Sequence, residues 1–251
     1  MVNEKVLFIV EGEKDEPKLI ETINNALYFD GKIEVYSYKT SIHQLYEELS
    51  LDVDLDLPLL LREKETDRLS KELLSNDFSA IYLIFDFEPH YQKFDIDNLI
   101  KLQHFFNNSL DKGLLLINYP MLESFKHLND LPDKEFLTKT VTKEEVKKYK
   151  ELVGVESRHY NQTNYHNELV KEIIIHHLIK MNIVINNQKE IPASNEVESM
   201  VCNDEFTKKQ YKNYLEDKLY VLSMLFYYLI ELMPTSFYDE LDLPIIDYLL
   251  E

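Results

Sequence analysis

The chain holds a single cysteine, Cys202, in 251 residues. That excludes an intramolecular disulfide, and with no histidine nearby in sequence it gives no sign of an activated thiol. Glycine is almost as scarce, at four residues. Basic residues are outnumbered, with 27 Lys and Arg against 46 Asp and Glu, and the net charge of -19 repels phosphate backbones and anionic membranes alike. A nucleic-acid role therefore requires local basic patches or metal ions. No basic-then-apolar leader opens the sequence, so a cytoplasmic location is expected. The most apolar run, residues 219–233, is broken by Ser223 and Glu231 and falls short of the roughly 20 residues of a membrane span. A buried core helix is expected there, and no membrane partner. His-Glu-x-x-His, a Walker loop, a cysteine cluster, internal repeats and low-complexity tracts are all missing.

What is present is an alternation of strand and helix signals in the first half. Residues 6–10, 33–38, 80–87 and 113–120 read as strands, and the third is apolar on both faces, as in a parallel sheet covered by helices. Helices are expected at residues 16–27, with Asp15 as N-cap and Pro17 in the first turn, at 41–49 and at 95–110, with a short one from Met121. Beyond residue 130 the long signals are helical. They cover residues 142–153, opened by a Thr142-x-x-Glu145 capping box, then 165–181 and 206–233. The expected class is α/β: an open, mostly parallel four-stranded sheet over residues 1–130, with an insertion at about residues 50–76, then a mostly helical region over 131–251.

In such a sheet ligands bind beyond the carboxyl ends of the strands. "VLFIVEGEKDEPKLI" carries Glu11 off the end of the first strand, and "IYLIFDFEPHY" carries Asp86 and Glu88 off the third. In extended chain, residues two apart point to one side, which pairs Asp86 with Glu88 and Glu11 with Glu13, while Pro89 keeps Glu88 out of helical geometry. Carboxylates so close raise one another's pKa unless a cation sits between them, and a divalent ion with oxygen ligands resolves the conflict.

A strand ending in Val-Glu-Gly, followed by a later strand ending in an acidic-x-acidic pair, resembles the Toprim domain of topoisomerases, primases and several nucleases. "FIVEGEKDEPKL" and "INYPMLESF" are similar to segments of the RloB-type and OLD-like Toprim nucleases associated with phage defence. The resemblance implies that Glu11 is the catalytic acid or base, also beside the metal, and that Asp86, Glu88 and Glu123 hold Mg2+ or Mn2+. Asn118 and Pro120 would shape the loop before Glu123. Glu88 stands where the family normally has Asp and reaches one methylene further. The implied activity is metal-dependent phosphodiester hydrolysis of RNA or DNA, as the effector of a phage-defence (abortive infection) system, with an ATPase partner or a homo-oligomer. His90 would donate to phosphate or to a leaving group. A noncatalytic Toprim-like interaction protein and a metal-dependent phosphatase are the alternatives.

Other acidic and basic features read as surface. Asp52, Asp54 and Asp56, with Glu63 beyond, have the spacing of a calcium loop, but Leu57 replaces its essential glycine, so a solvated edge strand or loop is expected. His159, His166, His176 and His177 are expected as helix-face residues, with His166 and His177 roughly 16 Å apart along an axis, too far to share a metal. Residues 134–150 hold six Lys against three Glu, and read as an exposed helix face.

Overall fold

Three of the four long strands form where apolar residues run unbroken on both faces, and the fourth, at the sheet edge, alternates polar and apolar residues. The structure, a computed structural model, describes residues 5–49 and 55–251. It begins β1 (Lys5–Val10), α1 (Asp15–Ala26), β2 (Lys32–Ser37), α2 (Ile42–Glu48), α3 (Leu57–Lys64), α4 (Arg68–Leu73), β3 (Ala80–Asp86), α5 (Ile96–Phe105), β4 (Asn107–Asn108) and β5 (Gly113–Tyr119). Strands β2, β1, β3 and β5 lie side by side in that order and run parallel. Residues 7–10 of β1, 82–85 of β3 and 114–117 of β5 are almost completely buried, and each such Leu, Ile or Phe contributes about 1.5 to 3 kcal/mol. Right-handed crossovers place α1 on one face, and α2 and α5 on the other. The later helices thicken both layers.

The rest of the chain comprises β6 (Thr140–Val141), α6 (Lys143–Lys147), α7 (Tyr149–Glu156), α8 (Asn167–Asn186), α9 (Ser194–Val201), α10 (Asp204–Leu215), β7 (Leu219–Tyr220), β8 (Leu222–Ser223), α11 (Tyr227–Leu232), α12 (Ser236–Asp239) and α13 (Ile245–Leu250), with 3-10 turns at Leu122–Lys126 and Glu135–Thr138. Helix α8 packs on α1, while α10 packs on α5. The fold is thus α/β with a mostly parallel central sheet and a helical C-terminal part. No helix among the described residues is long and apolar enough to cross a membrane.

Several local expectations give way. Residues 219–233 are not one helix: β7 pairs antiparallel with β6, β8 pairs antiparallel with β5, and only Tyr227–Leu232 is helical. An apolar run satisfies a buried strand as well as a buried helix, and here the open edges of β5 and β6 supply backbone partners. The expected helix over 142–153 divides at Lys148, where ψ reaches 22°. Its capping box is present, with Thr142 Oγ1 accepting from Glu145 N–H and Glu145 Oε2 accepting from Thr142 N–H. Asp15 does not cap α1. Lys14 holds the cap position, and the Asp15 carboxylate is drawn to Lys150 instead. Asp52 and Asp54 lie outside the described residues, and Asp56 is an exposed loop residue, as expected, whose carboxylate also caps α3 by accepting from Leu59 N–H at 2.9 Å.

Candidate functional site

Strand order fixes where a site can form. From β1 the chain moves to β2 on one side, and from β3 it moves to β5 on the other, so the winding reverses between β1 and β3. The crevice at their carboxyl ends is the position at which doubly wound sheets bind ligands. Glu11 follows the last residue of β1, and Asp86 is the last residue of β3. The two strands pair as far as Val10 with Ile84. Beyond that pair the Asp86 backbone N–H faces the Glu11 carboxylate, close enough to lower its pKa.

Each side chain has its own anchor. Asp86 Oδ1 accepts from Leu122 N–H at 2.9 Å, which ties β3 to the 3-10 turn bearing Glu123. Gly12 N–H donates to Glu16 Oε1 at 3.1 Å, and a Cβ at residue 12 would come within 2.5 Å of the same carboxylate. The scarce glycine therefore leaves room for Glu16 to fold back over the end of β1. Glu16 and Glu123 are both buried, whereas Glu11, Asp86 and Glu88 are partly exposed. Glu11 Oε2 is enclosed and has no hydrogen-bond partner. Lys150 Nζ approaches Glu123 Oε1 at 3.7 Å and also pairs with Asp15.

Such crowding acts on protonation. Burial first, then the charges of Glu88 and Glu16, push the Glu11 carboxyl up to about 8, against the Asp86 N–H that pulls it down. Asp86 is held well above the usual carboxylate range by burial and by Glu11, Glu16, Glu123 and Glu88. Burial also raises Glu16 and Glu88, the latter eased by His90. Five carboxyl groups thus share one field with few cations in it.

The structure gathers Glu11, Asp86, Glu88 and Glu123 at this crevice and adds Glu16, which the sequence reading left unassigned. The signal was present, since Glu16 is the last Glu of the Glu-Gly-Glu-x-x-Glu-Pro segment. Glu13 does not join Glu11. It is exposed and pairs with Lys39 at 2.9 Å. The strand rule fails for Glu88 too, because β3 ends at Asp86 and Glu88 takes φ 42°, in the left-handed region. His90 is exposed and within charge range of Glu88. Asn118 stands beside Asp86 in the β3–β5 register and accepts from Ser223 Oγ at 2.6 Å.

His176 and His177 lie on α8 as expected, on its buried face, whereas His166 caps α8 and His159 sits in the turn after α7. His177 Nδ1 accepts from Ser223 N–H and its Nε2 donates to Phe125 O, which leaves a neutral ring. Of the lysines in 134–150, Lys147 pairs with Glu144, Lys139 with Glu156 and His127, and Lys150 alone among them reaches the acidic crevice.

An all-oxygen donor set with an enclosed, unpartnered carboxylate oxygen has the chemistry a hard divalent cation requires. Among the described residues, however, no three His, Cys, Asp or Glu side chains already stand close enough together to hold a metal ion. Comparison of the chain with protein-family models, curated proteins and solved structures returns no match.

Proposed function

We propose that the protein is a divalent-cation-dependent phosphodiesterase of the Toprim kind, acting on RNA or DNA. One observation carries the reading: Glu11 and Asp86 leave adjacent parallel strands at the winding reversal, with the Glu11 carboxylate facing the Asp86 N–H and its Oε2 enclosed and unpartnered. Asp86, Glu88 and Glu123 are the residues that would hold Mg2+ or Mn2+, with Glu11 and Glu16 beside them. Bound there, such an ion supplies charge for a nonbridging phosphate oxygen and lowers the pKa of water.

The chain's own contribution is proton handling and orientation. Without a cation the Glu11 carboxyl is raised to about 8 and holds a proton at neutral pH; a cation beside it would favour the ionised form, which is placed to take a proton from an attacking water and return it to a leaving oxygen. Leu122 N–H fixes the Asp86 carboxylate, and Gly12 N–H fixes Glu16. A defence role against phage, with an ATPase partner or a second copy of the chain, belongs to the same proposal and rests on the resemblance of the three motifs.

The test is cleavage of labelled RNA and DNA with Mg2+, Mn2+ or a chelator. Cleavage requires the cation and falls by at least about a hundredfold in Glu11→Ala, the scale of a lost acid–base group. Equal cleavage in the chelator overturns the reading. That no three such side chains stand ready for a metal among the described residues favours a second reading, a noncatalytic Toprim-like interaction protein. It predicts that neither Mg2+ nor Mn2+ binds.

A further inference from the structure

Three lysines, Lys126, Lys171 and Lys180, are more than nine-tenths buried, and they differ in what receives their ammonium groups. Lys180 Nζ donates to Phe136 O and Lys139 O, each at 2.7 Å. Lys171 pairs with Glu240 at 2.6 Å. Lys126 is only 4% exposed, and its ammonium has neither a hydrogen bond nor an ion pair among the described residues; its Nζ lies 4.3 Å from the centre of the Tyr160 ring. Its stem is buried while the ammonium tip keeps a small opening to solvent, and the aromatic face beneath it favours the charged form. Glu123 and Asp15 act on it through their charge, but neither comes within ion-pair distance, so the ammonium is open to an incoming anionic oxygen.

Its neighbours specify where that oxygen sits. Lys126 closes the 3-10 turn that carries Glu123, and its ammonium lies within charge range of Glu123 and Asp15. Lys150, from α7, reaches the same place at 3.7 Å from Glu123. Its pair with Asp15 is half exposed on both sides, and such pairs contribute little, so an incoming anion can displace Asp15. We propose that Lys126 and Lys150, backed by Tyr160, seat a nonbridging oxygen of a nucleic-acid phosphate beside Glu123. This rests on the phosphodiesterase reading and supplies what it lacked, a local cationic contact on a chain of net charge -19.

The experiment is fluorescence anisotropy of a labelled single-stranded oligonucleotide in Mg2+, in a Glu11→Gln background that holds the substrate uncut, with cleavage followed separately in the parent chain. Lys126→Met weakens binding at least about tenfold, the loss of one charge-assisted hydrogen bond, and lowers the salt slope by about one. Lys150→Met, at an exposed position, acts in the same direction and keeps the test if Lys126→Met fails to fold. Wild-type-like affinity and slope in both variants overturn the seat, as does a parent that does not bind. Displacement of the oligonucleotide by micromolar inorganic phosphate assigns the seat to free phosphate and overturns the nucleic-acid assignment. Lysine-dependent binding without cleavage in any cation leaves the seat standing and removes the nuclease. Cation-dependent cleavage undiminished by Lys126→Met and Lys150→Met together does the reverse.

Discussion

Glu88 concentrates two unfavourable choices in one residue. Its φ of 42° is a left-handed conformation that a Cβ disfavours, and its carboxyl is raised by burial beside other acids. Neither choice helps the fold, and both are what a ligand-holding position tolerates. Glu88→Gly removes the strain and the buried acid together. It is expected to stabilise the metal-free protein by about 1 to 2 kcal/mol in thermal unfolding while weakening Mn2+ binding. A lower melting temperature for Glu88→Gly shows instead that Glu88 is held by interactions the fold depends on. Gly12 is the complementary case, because any side chain there displaces the Glu16 carboxylate.

Elements were legible where the signal was local or two-sided. The strands at residues 6–10 and 80–87 could be read because each is apolar on both faces, and the capping box because Thr142 and Glu145 satisfy each other within one turn. Residues 219–233 were not legible, since the partners of β7 and β8 come from elsewhere in the chain. In the site, Glu11 and Asp86 follow from strand ends alone. Glu16 resembles any acid in a first helical turn, and the direction of Glu88 depends on one left-handed residue that no pattern announces. Strand β8 also carries a testable link to the site. Ser223 Oγ donates to Asn118 Oδ1 at 2.6 Å, next to Asp86, and both residues are fully buried. Ser223→Ala leaves that oxygen unpaired and should cost about 1 to 3 kcal/mol in chemical denaturation. A change below about 0.5 kcal/mol means that β8 does not brace β5 through this bond.

At the scale of the whole molecule, acids and histidines set opposing pH slopes. A carboxyl whose folded value exceeds its unfolded one binds its proton more tightly in the folded state. Its stabilisation is complete below the unfolded value and is lost as pH rises through the folded value. For Glu11 that window runs from 4.5 to about 8, and Asp86, Glu16 and Glu88 act in the same direction. His177 and His127 are lowered by burial from 6.5 to about 3 and about 4, so their stabilisation is present above 6.5 and is lost as pH falls toward those values. The metal-free protein should therefore melt highest on the acid side of neutrality, and Glu11→Gln should flatten the decline toward pH 8. A melting temperature that keeps rising to pH 8 in chelator contradicts this assignment. Cation binding should reverse the decline, because it favours the ionised acids and expels their protons. The central claim, that the carboxylates at the β1–β3 reversal form a divalent-cation site, is tested most directly by calorimetric titration of Mn2+ near neutral pH. Binding should be saturable, with a heat that depends on the buffer's protonation enthalpy, and should be lost in a folded Asp86→Asn variant. Absence of saturable binding, or equal binding by Asp86→Asn, contradicts it.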